Sequence, residues 1–82
     1  MSSYDLEFIL SVYNLSPEAL RSTLLEFGEG LIVAELARDS ISGYCDYEVR
    51  ISTLEPTLIF DTCSELGRIK SVKVNERKGQ VV

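Results

Sequence analysis

The chain has no histidine. That absence removes the base that most serine and cysteine nucleophiles depend on, and it removes the commonest transition-metal ligand. Only two cysteines are present, Cys45 and Cys63, and they do not make a metal-binding spacing. No signal-peptide apolar segment stands in Met1–Leu15, so reduced thiols are expected instead of a disulfide framework. The compartment that follows is cytoplasmic, or nuclear in a eukaryote. Without a basic neighbour the two thiols read as small, inert hydrophobes. No apolar run approaches membrane-spanning length, and no internal repeat or low-complexity segment is present.

Phosphate-loop chemistry is also missing. Gly28-Glu29-Gly30 lacks the accompanying lysine and follows a helical segment instead of opening one, so it reads as a helix stop and turn. Asp46 and Glu48 stand two apart on one strand face. Such a pair is able to share a proton or hold a divalent cation. Beside Arg50 the plainer reading is a solvated, self-compensated face. The expectation is a chain that is not an enzyme and takes no cofactor or metal.

What is present is a small, acidic and unevenly charged chain. It has 82 residues, of which 45% are hydrophobic, and a formal net charge of −5. That is enough for one modest core. Residues 1–67 carry twelve acids against Arg21, Arg38 and Arg50, a net charge of −9. Residues 68–82 carry Arg68, Lys70, Lys73, Arg77 and Lys78 against Glu76, a net charge of +4. The acidic whole is a poor match for nucleic acid or anionic lipid. The basic end reads either as an anion or partner contact, or as an edge strand whose cations discourage pairing with other chains.

The periodicities run strand, helix, strand, strand, helix, strand. Leu6, Phe8, Leu10 and Val12 alternate with Glu7, Ile9 and Ser11, a strand with one buried face. Ser16 is a helix N-cap, Pro17 suits the first helical position, and Leu15 and Leu20 stand at the positions of a hydrophobic staple. Leu20, Leu24 and Phe27 make the helix stripe, and Gly28 ends it. Leu31–Arg38 is the second strand, with Ile32, Ala34 and Leu36 inward. Arg38–Gly43 is a turn. Tyr47, Val49 and Ile51 alternate with Asp46, Glu48, Arg50 and Ser52 on the third strand. Thr53 is the expected cap of the second helix, with Pro56 in its first turn and Ile59, Cys63 and Leu66 as its stripe. Gly67 stops it, and Ile69–Asn75 is the last strand, with Val72 and Val74 inward.

This order is the βαββαβ pattern. It predicts an α+β, ferredoxin-like two-layer sandwich with antiparallel sheet order 4-1-3-2. A single domain spans 1–82, with its core at about 4–76 and a basic tail at 77–82. The expected core is Leu10, Val12, Leu20, Leu24, Phe27, Leu36, Val49, Ile51, Ile59, Leu66 and Val72. The sheet face away from the helices should show Glu7, Ile9, Ser11, Asp46, Glu48, Arg50 and Ser52. Val33 and Glu35 are expected at one border of that face, and Ser71 and Lys73 at the other. It should be acidic and nearly free of aromatics.

Leu10-Ser11-Val12-Tyr13-Asn14-Leu15 resembles the first-strand signature of the RNA recognition motif, and Ser16-Pro17-Glu18-Ala19-Leu20-Arg21 resembles that family's first helix. Leu36-Ala37-Arg38-Asp39 with Ser42-Gly43-Tyr44 is similar to its second hairpin, and Val72-Lys73-Val74-Asn75-Glu76 to its closing strand. The resemblance implies base stacking on aromatics of strands one and three. The sequence departs from it there. Ser11 takes the first-strand aromatic position, and Asp46 and Glu48 take the third-strand ones. Tyr44 is the one candidate stacker on the third strand. The implied module is degenerate, with RNA contact weak or absent. Ser64–Val74 also resembles the last helix and strand of ACT-type regulatory domains, which dimerise side by side and bind amino acids. The glycine loop of that family is replaced here by Asn14-Leu15-Ser16-Pro17.

The expected function is a non-catalytic binding module whose partner is a protein or a second copy of itself. The alternative is an ACT-like dimer with a small ligand. The candidate contacts are Ser11, Tyr13, Tyr44, Asp46, Glu48 and Arg50 on the sheet, and Arg68, Lys70, Lys73, Arg77 and Lys78 on the basic stretch.

Overall fold

The computed structural model describes residues 2–78. Residues 79–82 of the expected basic tail, and the Lys78 side chain, lie outside that description. The elements are β1 (Ser2–Tyr13), α1 (Pro17–Leu24), a 3-10 turn (Leu25–Phe27), β2 (Glu29–Arg38), β3 (Tyr44–Thr53), α2 (Pro56–Leu66) and β4 (Gly67–Lys78). The four strands form one antiparallel sheet in the order β2-β3-β1-β4, which is the expected order read from the other edge. Leu6, Phe8, Leu10 and Val12 of β1 and Cys45, Tyr47, Val49 and Ile51 of β3 are buried against Leu20, Leu24, Ile59 and Cys63 of the helices. Both cysteines are unpaired.

Local chemistry explains the start of α1. The Ser16 hydroxyl accepts a hydrogen bond from the Ala19 N–H at 3.1 Å, and Pro17 supplies no donor that would go unsatisfied. Its end differs from the expected glycine stop. The helix proper ends at Leu24 and tightens into the 3-10 turn before Gly28, which is extended at φ −177°. Gly28 is needed for close approach, since a Cβ there would collide with the Ser52 carbonyl oxygen. Gly67 repeats the device after α2: a Cβ would collide with the Ser11 carbonyl oxygen, and β4 begins at that residue with no connecting loop.

Thr53 does not cap α2. It is buried at the end of β3, where its hydroxyl donates to the Phe27 carbonyl at 2.8 Å and accepts from the Glu55 N–H at 3.0 Å. The helix starts at Pro56 behind Glu55, which makes no side-chain cap.

The outer strands depart from simple alternation. On β2, Val33 is the buried residue and pairs with Val49, while Ile32 pairs with Arg50 and Ala34 with Glu48. The expected faces of this strand are therefore reversed. Val33 is inward, Ile32 and Ala34 are on the uncovered side, and Leu36 is 52% exposed. Irregularities between Glu29 and Ile32 and between Glu35 and Ala37 set this register. On β4, a bulge lies between Lys70 and Lys73, opposite Phe8, and Ser71 takes φ +55° within it. The expected placement of Ser71 beside Lys73 on the open face gives way to this bulge.

Val72 and Val74, expected in the core, are each 48% exposed. Position in the sheet gives the reason. Both lie on an edge strand, Val74 opposite the buried Leu6 and Val72 within the bulge opposite the buried Phe8, with no strand on their outer side. Phe27 and Leu66 pack against the core but are only partly buried.

Candidate functional site

The strand registers decide what the uncovered face presents. Glu7 pairs with Arg50, Ile9 with Glu48 and Ser11 with Asp46, so these residues share the side of the sheet away from the helices. On the other flank, Arg68 pairs with Ser11, Lys70 with Ile9 and Lys73 with Glu7. The two sets of candidate residues from the sequence, sheet contacts and basic contacts, thus converge on one surface. Lys78 is the exception, because its side chain is not described.

The face is not acidic. Asp5, Glu7, Asp46 and Glu48 stand among five cations, Arg50, Arg68, Lys70, Lys73 and Arg77. Four of those cations are engaged. Arg77 Nε lies 2.6 Å from Asp5, and Lys70 Nζ lies 3.3 Å from Asp46. Arg50 bridges Glu7 at 3.3 Å and Glu48 at 3.5 Å, and Lys73 reaches Glu7 at 3.8 Å. Arg68 makes no ion pair among the described residues. These exposed pairs add little stability individually, but they set where the charge lies. Hydrogen bonds from Ser52 and then Arg77 hold the Asp5 carboxyl below its ordinary range. The Ser11 hydroxyl and Lys70 do the same for Asp46.

One end of the face is more aromatic than expected. Tyr13 and Tyr44 are cross-strand partners, 63% and 52% exposed, with ring centroids 5.4 Å apart and a 60° tilt. This end of the face therefore pairs two aromatics, Tyr13 of β1 and Tyr44 of β3, both among the expected sheet contacts. Residue parity carries this signal, since the alternation that turns Ser11 and Asp46 outward turns Tyr13 and Tyr44 outward too. Gly43, at φ +82°, lets the chain turn beneath the Tyr13 ring; a Cβ there would lie 2.9 Å from that ring. The hairpin tip is held by Asp39, whose carboxylate accepts from the N–H groups of Ile41 and Ser42. Ile41 is 96% exposed at that tip.

On the covered side, Tyr47 is fully buried and donates its hydroxyl to the Leu15 carbonyl at 3.0 Å, with burial first and the Cys45 thiol second raising its pKa to about 12. Burial likewise pushes the Cys63 thiol up to about 11. No cluster of three or more candidate metal ligands occurs among the described residues. None of their helices is long and apolar enough to cross a membrane. Comparison with family models, with curated proteins and with solved structures found no match to this chain.

Proposed function

We propose that this domain is a non-catalytic binding module that docks a partner protein through its open sheet face, with Tyr13 and Tyr44 as anchors and Arg68 beside them. The observation that carries this reading is how the face divides. Its carboxylates and four of its cations are paired with one another, while its large π-surfaces are exposed. A phosphate backbone would have to compete with a fixed carboxylate for each of Arg50, Lys70, Lys73 and Arg77. A protein surface needs no such displacement, and tyrosine and arginine are the side chains that dominate protein interfaces energetically. The likeness to the RNA recognition motif fits the βαββαβ order, but that order hosts many functions.

The experiment has two arms. In the first, short single-stranded RNAs are titrated at physiological ionic strength and followed by amide shifts. Contact is expected to be weak, confined to Arg68, Lys70, Lys73 and Arg77, and lost at high salt. In the second, a photo-crosslinking residue replaces Tyr44 in the host cell, with the helix position Thr57 as control. One protein should be trapped at position 44 only. The purified pair should then lose more than about tenfold in affinity on Tyr13→Ser, equivalent to at least ~1.4 kcal/mol. Micromolar, sequence-dependent RNA binding centred on Ser11 and Tyr44 would sink the proposal. A self-crosslink accompanied by a dimer in light scattering would replace the partner with a second copy.

A further inference from the structure

The two helix–strand junctions at the opposite end of the sheet from Tyr13 and Tyr44 border an open cleft of about 810 Å³. Its floor is apolar. Phe27 lies partly buried against the core, and Leu54 and Leu58 are 56% and 47% exposed. Its rim is acidic. Glu26, Glu29 and Glu55 are all exposed, and none makes an ion pair among the described residues. This contrasts with Asp5, Glu7, Asp46 and Glu48 on the open sheet face, each of which is paired. The one cation in the described lining, Arg77, lies 2.6 Å from Asp5 and is held by it.

Two contacts tie the walls of the cleft together. The Thr53 hydroxyl joins its two walls, donating to the Phe27 carbonyl and accepting from the Glu55 N–H. Gly28 lies so close to the Ser52 carbonyl that no side chain fits between them. A preformed apolar floor needs little ordering on binding. Three unpartnered carboxylates around it raise the local concentration of cations and select the sign of whatever enters.

We propose that this cleft binds a short basic segment of a partner protein, in which an apolar side chain is flanked by lysine or arginine. The apolar residue seats on Phe27, Leu54 and Leu58, and the flanking cations meet Glu26, Glu29 and Glu55. The proposal does not depend on the open-face reading, because the two surfaces lie at different ends of the sheet and share no anchor.

The test uses the full chain and three synthetic probes: the peptide Arg-Leu-Lys-Leu-Arg, its uncharged analogue Ser-Leu-Ser-Leu-Ser, and tetralysine. The first should give saturable amide shifts confined to residues 26–30 and 54–58, and the other two should not. Leu58→Ser leaves the net charge unchanged and should weaken that binding more than about tenfold. Glu26→Gln combined with Glu55→Gln should do the same and reduce its salt dependence. A folded amide spectrum for each variant shows that the loss is local. Equal binding of tetralysine, indifference to Leu58→Ser, shifts spread over the rest of the acidic surface, or no saturation at all would each overturn the proposal.

Discussion

At Gly28 and Gly67 the lack of one methyl group lets a helix pass directly into a strand. Neither glycine has a left-handed backbone, so their role is space: each lies against a carbonyl oxygen of the neighbouring strand. Gly28→Ala should therefore destabilise the domain by about 1–3 kcal/mol, the usual cost of overpacking, as measured by denaturant unfolding. An alanine tolerated within ~0.5 kcal/mol would show that the backbone relaxes freely there. Ser71 presents the opposite case. It holds φ +55° in the β4 bulge without being glycine, a conformation that costs an L-residue about 1–2 kcal/mol. Ser71→Gly should stabilise the fold by about 0.5–1 kcal/mol after the added unfolded-state entropy is counted. An unchanged or lower unfolding midpoint would argue against the bulge.

Among the elements, β2 separates what alternation in a sequence can and cannot give. Glu29–Arg38 contains apolar residues at Leu31, Ile32, Val33, Leu36 and two alanines, so both parities look buriable. The register with β3 breaks the tie by setting Val33 opposite Val49. Val33→Ala should cost about 1–2 kcal/mol for the two buried carbon groups removed. Leu36→Ser should stay within about 0.5 kcal/mol. The reverse ranking in thermal or urea unfolding would restore the alternation read from sequence. β1 and β3 were legible because each alternates inward apolar with outward polar residues along its middle, Ile9 being the one aliphatic exception. α1 was legible from Ser16, Pro17 and the Leu20–Leu24 pair. The bulge in β4 was not, because no side chain there announces an extra residue, whereas Gly30, at φ +65° within the first irregularity of β2, is the kind of residue that marks one.

For the whole molecule, the charges place the limits of pH stability. Asp5 and Asp46 titrate below their ordinary value of 3.8 in the fold, and Asp39 does so through hydrogen bonds from the Ile41 N–H first and the Ser42 side chain second. Lowered carboxylates stabilise the fold at every pH above their unfolded values, and the contribution is lost as pH falls through the folded ones. Cys63 and Tyr47 work in the other direction. Their raised values, about 11 against 9.0 and about 12 against 10.0, favour the neutral side chain in the fold. That stability is complete below the unfolded values and is lost as pH rises through the folded ones. Denaturant midpoints across pH should give a plateau that declines below about pH 4 and above about pH 9. In Cys63→Ala, which is less stable throughout, the alkaline decline should begin about one pH unit higher, where Tyr47 takes over. An alkaline onset unmoved by that change would remove Cys63 from the account.

By itself the sequence determined the βαββαβ order and the outward set Ser11, Asp46, Glu48 and Arg50, because these rest on local periodicity and capping, which act within a few residues; the strand order followed from that motif and not from any local signal. It also held Tyr13 and Tyr44 in the same parity, a signal that residue spacing alone carries. Only the tertiary structure decided the electrostatic character of the open face. The carboxylates of β1 and β3 come from the acidic part of the chain and most of their partners from the basic end, so a net charge counted along the chain reads acidic where the folded surface is neutralised. The cleft was decided in the same way. Glu26 and Glu29 are separated from Glu55 by two strands, and they meet only because an antiparallel hairpin returns the chain to the end of the sheet it left.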